Sequence, residues 1–389
     1  MSQHDIHICM VSGQPLPNLI PALSGETRPR MVILLVSPDM KERGELLGEN
    51  FEKLGCKVAR VEIDPYRIDK IRATLLEVAV QYEATDLVLN ATAGTKVMAM
   101  GAYDVFRELG KPAFYVDTDN NQLISLLPEG GVHPLGDVVK VKTYLSAYGY
   151  DIKDKGDCQI RVERQQLCEH LVGHAARYAN ALRVLNACAA AAEKKDPPWA
   201  KLEDRHQGFS ELRELLDLFA EAQLIHQSHG KLYFSDESAR RFAGGGWLED
   251  YVVKCVNRLK GKNIVHDHLN NVVVETRAGV RNEIDLAFTA RNRLHLIECK
   301  SGRLSEKEGK ENRADGVAYK LDNLRDLMGG TYGKAMLVSF QKLEPIDRSR
   351  CAENRIEVVE SAELPRLEEI IEKWIEGRRG PRRKMAKNL

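Results

Sequence analysis

Two charged residues, Glu298 and Lys300, end the strand-like run LHLIECK. Side chains two residues apart in a strand point to the same face, so both charges follow Leu294 and Leu296 on one face. Burying a charge costs free energy unless the charge is paired or bound to a metal. The pattern therefore predicts that this end of the strand has a chemical role.

A second strand-like run, NEIDLAFTA, comes just before it, and only the polar pair Arg291-Asn292 separates the two. A two-residue hairpin turn at that pair would place Ala290 opposite Arg293. The same register would place Asp285 directly opposite Glu298. Like charges directly opposed across two strands destabilise a sheet, and a cation between them would remove the repulsion.

Two carboxylates and a main-chain carbonyl suit Mg²⁺ or Mn²⁺, hard cations that take oxygen ligands and keep several waters. We expect the metal ligands to be Asp285, Glu298 and the carbonyl of Cys299. Lys300 could orient or deprotonate a water, or stabilise a negatively charged phosphorane. The alternative is an exposed sheet face with a Glu283–Lys300 salt bridge, which would contribute little stability.

A further carboxylate, Glu249, lies near the start of the predicted helix in GGGWLEDYVVKCV. An apolar stripe of Leu248, Val252 and Cys255 indicates that one side of this helix is buried. Glu249 could join the charged face, or it could be an ordinary solvated acid at a helix start. Its sequence position alone does not decide between these two roles.

The first third of the chain alternates short apolar runs with amphipathic helical stretches. The apolar runs are IHICMV, MVILLV, KVARVE, DLVLN and PAFYVD. This alternation predicts a parallel sheet with helices on both faces, in which ligands bind outside the carboxyl ends of the strands. The loops after the first and fourth strands are therefore the candidates for ligand binding.

The loop after the fourth strand, NATAGTKVMAM, combines features of an anion site. Gly94 permits a tight turn, Thr92 and Thr95 supply hydroxyls, and the helix is predicted to begin near Thr95. Lys96 then lies in the first turn, where the helix dipole disfavours a cation unless an anion is bound. The alternative is an ordinary capped loop with a solvated lysine. Neither a G-x-G-x-x-G nor a P-loop motif is present, which argues against dinucleotide hydride chemistry and P-loop NTP hydrolysis.

The middle of the chain is predicted to be helical from Arg161 to Lys195, then to form a helix over SELRELLDLFAEAQLI and a hairpin at His229-Gly230. Helices followed by a hairpin resemble a winged-helix module. Such a module could bind nucleic acid, but its many Asp and Glu residues favour a structural spacer. The glycine run 244–246 marks the next boundary.

Composition narrows the class of protein further. The 389 residues suggest two or three domains, and the 57 Lys and Arg balance the 57 Asp and Glu, so no global field attracts nucleic acid or membranes. The 8 cysteines include no C-x-x-C pair, which favours reduced thiols over disulfides or zinc. The N-terminus does not resemble a secretory signal, and no apolar run reaches membrane-spanning length. We expect a cytoplasmic protein without a membrane partner.

These motifs together resemble a known architecture. NEID…LIECK resembles the core of the PD-(D/E)xK nuclease superfamily, although the Pro before the Asp is absent. NATAGTKVM resembles the ligand loop of CRISPR-associated Rossmann-fold (CARF) domains. A Rossmann-like sensor, a helical or winged connector and a restriction-like nuclease, in that order, resemble the CARF nucleases of type III CRISPR systems.

The resemblance implies that a cyclic oligoadenylate, cyclic tetra-adenylate in particular, binds across a homodimer and activates metal-dependent cleavage of RNA or DNA. Asp285 and Glu298 would be metal ligands for Mn²⁺ or Mg²⁺, and Lys300 would be the catalytic lysine. Glu249 matches the acidic position on the first helix of the nuclease core. The positions that match the sensor loop are Asn90, Thr92, Gly94, Thr95 and Lys96, and those that match the loop after the first strand are Ser12, Gly13 and Gln14.

The predicted fold class is α/β, with four successive segments. The resemblance implies that residues 1–150 form a CARF domain, 151–243 a helical, winged-helix-like connector and 244–377 a PD-(D/E)xK nuclease domain, and 378–389 are a basic tail predicted to be disordered. Two other functions fit less well. One is a ligand-responsive winged-helix DNA-binding regulator with an inert nuclease-like domain, and the other is a DNA repair or restriction nuclease that needs no ligand.

Overall fold

The computed structural model describes residues 4–377, except 26, 204–205, 207, 303–306 and 309–310. The basic tail 378–389 therefore lies outside the described residues, and its predicted disorder stays a prediction. No helix within the described ranges is long and apolar enough to cross a lipid bilayer.

Helices and strands alternate along most of the chain. The strands are β1 (Ile6–Met10), β2 (Met31–Val36), β3 (Lys57–Glu62), β4 (Leu87–Asn90), β5 (Ala113–Asp117), β6 (Gln122–Leu127), β7 (Gly131–Pro134), β8 (Tyr150–Asp154), β9 (Trp199–Lys201), β10 (Ile225–Ser228), β11 (Lys231–Phe234), β12 (Asp267–Thr276), β13 (Arg281–Ala290), β14 (Arg293–Lys300), β15 (Lys307–Glu308), β16 (Glu311–Asn312), β17 (Lys334–Ser339) and β18 (Ile356–Val359). The α-helices are α1 (Leu16–Leu23), α2 (Lys41–Lys53), α3 (Ile68–Gln81), α4 (Lys96–Glu108), α5 (Val141–Ala147), α6 (Val162–Gly173), α7 (Ala175–Ala191), α8 (Ser210–Glu221), α9 (Glu237–Arg241), α10 (Trp247–Gly261), α11 (Arg313–Gly329), α12 (Pro345–Glu353) and α13 (Leu367–Glu376). The described residues also form a π-helix (Phe242–Gly246) and 3₁₀ turns at Pro38–Met40, Gly330–Tyr332 and Leu364–Arg366.

The N-terminal sheet has the order β3-β2-β1-β4-β5-β6-β7. Strands β1 to β5 pair in parallel, whereas β6 and β7 extend the sheet in antiparallel fashion. Every residue of β1 is buried, as expected for a parallel strand covered on both faces. Helices α3 and α4 cover one face, and α1, α2 and α5 cover the other. The predicted Rossmann-like α/β arrangement is confirmed.

The middle of the chain contains helices α6, α7 and α8 and a small sheet of order β10-β11-β9. The hairpin between β10 and β11 turns at His229 and Gly230, whose φ angles of 47° and 70° lie in the left-handed region. Both the helices and this hairpin follow the sequence prediction. Strand β9 is an addition that sequence periodicity did not indicate, since it is only three residues long.

The C-terminal sheet has the order β18-β17-β14-β13-β12-β8. Strand β8, which precedes the connector helices, pairs with β12 and so forms one edge of this sheet. The chain thus enters the C-terminal sheet once before the connector and returns to it afterwards. One apolar cluster runs from Leu34 in β2 to Leu296 in β14, which packs the two large sheets into a common core. The predicted segment boundaries themselves stay predictions.

The hairpin between β13 and β14 has the predicted turn. Arg291 and Asn292 both have positive φ angles, 52° and 56°, as a type I′ turn requires. Ala290 pairs with Arg293, and the ladder continues to Leu286 and Ile297. The register proposed from the sequence is therefore confirmed over these pairs.

Candidate active site

The next position along this hairpin register brings Asp285 and Glu298 together. Glu298 is only 4% exposed. The Asp285 carboxylate reaches across to β14, where its Oδ2 accepts a 2.7 Å hydrogen bond from the main-chain N–H of Cys299. The flanking side chains of Ile284 and Leu286 are buried, so the two carboxylates lie at an apolar boundary. Sequence alternation predicted this placement.

Two lysines neutralise part of this charge. Lys300 Nζ lies 2.7 Å from Glu298 Oε1, and Lys320 Nζ lies 3.6 Å from the same oxygen. The alternative Glu283–Lys300 salt bridge was wrong, because Lys300 pairs with Glu298 and Glu283 is solvent-exposed. The charged face is therefore an internal cluster and not an exposed ion pair.

The pKa values reflect crowding of negative charge. Burial, followed by repulsion from Glu298, raises the pKa of Asp285 to about 6. Burial, followed by repulsion from Asp285, raises the pKa of Glu249 to about 7. Burial acts to lower the pKa of Lys300, but the carboxylates of Glu298 and Asp285 outweigh it and raise that pKa. Shifted carboxyl groups gathered in a cleft are typical of catalytic or metal sites.

Glu249 is brought to this cluster by the glycine run. The π-helix Phe242–Gly246 leads directly into α10, and Gly245 has a φ of 128°, which side chains rarely permit. A Cβ atom at Gly245 would overlap Ser301 Oγ, directly after Lys300. The glycine thus allows the start of α10 to approach the end of β14. Of the two roles considered for Glu249, the structure supports membership of the cluster over that of a solvated helix-start acid.

A cavity of about 890 Å³ opens over these residues. Glu249, Lys300 and Ser301 line its floor together with Cys299. Arginines and small residues of the connector also line it. The arginines that line it are Arg164, Arg240 and Arg241. A cleft lined by both carboxylates and guanidinium groups is suited to a polyanionic substrate whose phosphate meets a metal.

Sequence reasoning missed three residues of this site. Lys320 lies on α11, Arg241 ends α9 beside Glu249, and Asp250 lines the cavity with a pKa that burial raises to about 6. Asp250 directly follows Glu249 in the sequence, so the prediction made for Glu249 could have included Asp250. No local pattern marks Lys320 or Arg241, because their roles depend on contacts between distant elements.

Oxygen donors dominate this candidate metal site. Within the described residues, no three His, Cys, Asp or Glu side chains gather closely enough to hold a metal ion by themselves. Burial raises the pKa of the Cys299 thiol well above its usual range, so that side chain stays neutral and only its carbonyl is a suitable donor. Two carboxylates and one carbonyl leave coordination positions for water, which fits Mg²⁺ or Mn²⁺.

The predicted ligand loop after β4, residues 90–96, is held in shape by hydrogen bonds of its own side chains. Asn90 is fully buried, and its amide donates to Pro17 O at 2.9 Å and to Asn18 Oδ1 at 3.0 Å. Its own Oδ1 accepts a 2.6 Å hydrogen bond from Thr92 Oγ1. Asn90 and Thr92 therefore fix the shape of the loop instead of pointing freely towards a ligand.

The rest of that loop opens towards solvent. Thr95 caps α4 by accepting a 3.1 Å hydrogen bond from the Met98 N–H, as its sequence position predicted. Lys96 is the first residue of the helix and is exposed. Gly94 has a φ of 80°, and a Cβ there would lie 2.9 Å from the Met10 side chain, so the loop needs glycine at this point. An exposed lysine at a capped helix N-terminus fits an anion site.

The loop after β1 lies beside it, because β1 and β4 are neighbours and Cys9 pairs with Asn90. Ser12 Oγ accepts a 3.2 Å hydrogen bond from the Gln14 N–H, and Gly13 between them is exposed. The Gln14 side chain points away, since its Oε1 accepts a 2.8 Å hydrogen bond from the Tyr148 hydroxyl. All eight predicted ligand residues thus surround the carboxyl ends of two adjacent strands, but the side chains of Gln14, Asn90, Thr92 and Thr95 are occupied by protein contacts.

Two family models match the chain. The Card1-like endonuclease domain matches residues 236–377, and the Card1 CARF domain matches residues 6–144. No curated protein is significantly similar in sequence. The unmatched stretch between the two domains corresponds to the helices and small sheet of the middle region.

Several solved structures resemble the whole chain. The crystal structure of protein VC1899 from Vibrio cholerae shares 29% identity, with a TM-score of 0.88, over 96% of this chain and 99% of that one. Can2 from Sulfobacillus thermosulfidooxidans, solved in complex with cyclic tetra-adenylate, shares 30% identity, with a TM-score of 0.79, over 96% and 97% of the two chains. A type III CRISPR defence DNA nuclease activated by cyclic oligoadenylate shares the fold at 17% identity, with a TM-score of 0.57, over 91% of this chain and 52% of that one.

Proposed function

Since this chain belongs to the Card1-like family of CRISPR-associated CARF endonucleases, we propose that it is a nuclease of type III CRISPR defence that cyclic oligoadenylate activates. The observation that carries this conclusion is the clustering of Asp285, Glu298, Lys300 and Glu249, of which Glu249 and Lys300 line one cleft. That cleft lies in the domain that matches an endonuclease, and the same chain carries a CARF domain with a polar, exposed ligand loop. The proposed protein is therefore a ligand-sensing domain joined to a phosphodiesterase domain.

The catalytic step is proposed to depend on a divalent metal ion. Asp285, Glu298 and the carbonyl of Cys299 would hold Mg²⁺ or Mn²⁺, which supplies Lewis-acid stabilisation and a more acidic bound water. Lys300 places its ammonium beside Glu298, where it can stabilise negative charge that develops on the phosphate. Glu249, with its pKa near 7, can take up or release a proton at neutral pH.

The substrate is proposed to be RNA, DNA or both. Arg241 is exposed at the cleft and Arg164 lines it as well, so both can contact the phosphate backbone. These guanidinium groups share the cleft with Glu249 and Lys300, so a phosphate held by them would lie close to the proposed metal site. Contacts to phosphate do not distinguish one base from another, so we expect cleavage in this cleft to show little base-sequence preference.

The activator is proposed to bind across a homodimer at the loops around Lys96. A cyclic tetra-adenylate has four phosphates, and a two-fold dimer would offer it two copies of this lysine and of the helix N-terminus beside it. Ser12 and Gly13 supply further polar groups at the same edge of the sheet, and Thr95 orients the helix N-terminus as its cap.

Contacts between the two domains support coupling of ligand and chemistry. Gln14, in the loop after β1, is bonded to the Tyr148 hydroxyl and receives a longer, 3.4 Å hydrogen bond from the Thr331 N–H. A Cβ at Gly330 would lie 2.5 Å from both Gln14 Oε1 and the Tyr148 hydroxyl, so the packing there is tight. A movement of the loop after β1, which contains Gln14, would therefore displace the turn at Gly330 and Thr331.

Helix α11 connects that turn to the active site. Tyr144 holds the last residue of the helix, because its hydroxyl donates a 2.9 Å hydrogen bond to Gly329 O. Within the same helix, Lys320 lies beside Glu298. One rigid element thus touches both the sensor and a proposed metal ligand, as a contiguous physical route for coupling requires.

The test uses the purified protein with Mn²⁺ and three substrates, namely RNA, single-stranded DNA and plasmid, with and without cyclic oligoadenylates. We expect cleavage only when metal and ligand are both present, and EDTA should abolish it. Equal cleavage without ligand would favour the ligand-independent nuclease. Ligand-dependent DNA binding without any cleavage would favour the winged-helix regulator.

A further inference from the structure

The small sheet in the middle of the chain has two different faces. Ile225, Leu232 and Phe234 are buried against the connector helices. Side chains alternate along each strand, so their neighbours form the opposite face. We call this opposite face the outer face of the middle sheet, and its residues are Trp199, Lys201, His226, Lys231 and Tyr233.

Positive charge is concentrated on this outer face. Lys201 pairs directly opposite Lys231 in the ladder between β9 and β11. Like charges directly opposed destabilise a sheet. Neither lysine forms an ion pair with any residue that the structure describes. The arrangement is the inverse of Asp285 and Glu298, and an anion would relieve it as a cation would relieve the carboxylates.

Aromatic rings hold the cations in place and extend the surface. The Nζ atoms of Lys195 and Lys231 lie 3.9 Å and 4.2 Å from the centre of the Trp199 ring, within the range of a cation–π interaction. On the neighbouring strands, the rings of His226 and Tyr233 stack at 4.9 Å with an angle of 5° between their planes. Lysines interleaved with rings are typical of surfaces that bind nucleic-acid strands.

The outer face and the catalytic cleft are formed in part by segments that are adjacent in sequence. Strand β11 ends at Phe234, and Ser238, Arg240 and Arg241 of the helix that follows line the cleft. Four of the acidic residues that favoured a spacer belong to helix α8, and none lies in the three strands of this sheet. Those acids are Glu211, Glu214, Asp217 and Glu221. The composition of the middle region as a whole therefore did not reveal that lysines are grouped on one face of its sheet.

We propose that the outer face of the middle sheet binds the phosphate backbone of the nucleic-acid substrate outside the cleft. This inference rests on the proposed nuclease function and gives the connector a role in substrate binding. Charge complementarity selects the occupant, because a polyanion contacts several lysines at once and releases its counterions on binding.

The test measures binding of a labelled single-stranded oligonucleotide of about 30 residues to the full chain, with cleavage silenced by Asp285→Ala. In that background, the variant Lys201→Glu/Lys231→Glu should bind about tenfold more weakly or worse at low salt. The slope of log Kd against log salt should fall by about 2, since each lost phosphate contact removes about 1. A milder Lys201→Gln/Lys231→Gln variant should show the same direction, and its melting temperature reports whether the sheet still folds.

A matched control carries the same charge change elsewhere. Lys57→Glu/Lys111→Glu alters the amino ends of β3 and β5, at the edge opposite the ligand loops, and should leave affinity and salt slope unchanged. Unchanged binding and slope in both sheet variants would overturn the inference.

Cleavage separates this inference from the proposed function. With Asp285 intact, the sheet variants should still cut an oligonucleotide of about six residues, short enough to occupy only the cleft, when ligand is present. If the wild type cuts in a ligand-dependent way and the sheet variants bind long strands normally, only the inference fails. If the wild type neither binds nor cuts any nucleic acid, the proposed function fails as well.

Discussion

The ligand loop and the carboxylate cluster differ in how their polar groups are paired. In the loop, Asn90 donates to Asn18, Thr92 accepts from the Val116 N–H and Thr95 donates to Pro65 O, so all three are bonded to other parts of the protein. In the cluster, Glu298 is buried and Asp285 is half-buried, and desolvation followed by repulsion from Glu298 raises the pKa of Asp285 to about 6. The first site is satisfied without a ligand, whereas the second retains unfavourable electrostatics.

This difference suggests how the two sites are used. A braced loop keeps its shape while empty, so a large ligand meets groups that are already oriented and loses less entropy on binding. A cluster of opposed carboxylates favours any cation that separates them, so its affinity comes from relief of repulsion. Sensor and catalytic residues should therefore respond differently to substitution.

The largest expected effect is loss of cleavage. Replacing Asp285, Glu298 or Lys300 with Ala should reduce the rate by about 10³-fold or more, because these groups act as a unit. The ligand-induced rise in melting temperature should remain, since the loop lies in another domain. Glu283→Ala, an exposed carboxylate of the same strand, is the matched control and should stay active. Full activity of Asp285→Ala would refute the metal assignment.

The next effect concerns the ligand. Lys96→Ala removes one exposed cation from each subunit of the proposed dimer, and the ligand concentration for half-maximal cleavage should rise about 10- to 100-fold. The maximal rate at saturating ligand should change little. Lys57→Ala, at the opposite edge of the same sheet, should behave like wild type. A wild-type response of Lys96→Ala to every cyclic oligoadenylate would contradict the anion-site interpretation.

A smaller effect should separate coupling from binding. Tyr148→Phe removes the hydroxyl that donates to Gln14 but keeps the ring and its packing. Loss of one hydrogen bond at this contact should lower the maximal ligand-activated rate about 2- to 10-fold. The affinity of the full chain for Mn²⁺, measured without ligand, should not change. Tyr150→Phe, on the adjacent strand β8, serves as a control, and equal rates in both variants would remove this contact from the coupling route.

The smallest effect is on stability without metal. The pKa of Asp285 is raised in the folded state, so its ionisation costs stability as the pH rises from about 4 to about 6, and the cost persists above. Asp285→Asn should therefore raise the melting temperature in EDTA at pH 8 by roughly 2 °C, with no gain near pH 4. Mn²⁺ should raise the melting temperature of the wild type more than that of the variant. A lower melting temperature of Asp285→Asn at pH 8 would mean that the carboxylates are not in repulsion.

Much of this architecture is determined by local sequence. The turn at Arg291 and Asn292 and the two-residue period of the strands specified the hairpin register, and the position of Thr95 specified the start of α4. The Rossmann-like order of strands followed from the alternation of apolar runs and amphipathic helices. These features depend on residues close in sequence, whose backbone preferences and side-chain periodicity act before any tertiary contact forms.

Other features were decided only by the tertiary structure. Lys320 reaches Glu298, the Tyr148 hydroxyl donates to Gln14, and β8 joins a sheet whose next strand begins more than a hundred residues later. The opposition of Lys201 and Lys231 likewise depends on a strand that is too short for periodicity to reveal. Such contacts depend on how whole elements pack and which side chains are then desolvated together. Local sequence therefore determined the loop around Lys96, the hairpin that carries Asp285 and Glu298, and the strands of both. Packing determined which distant residues complete each site.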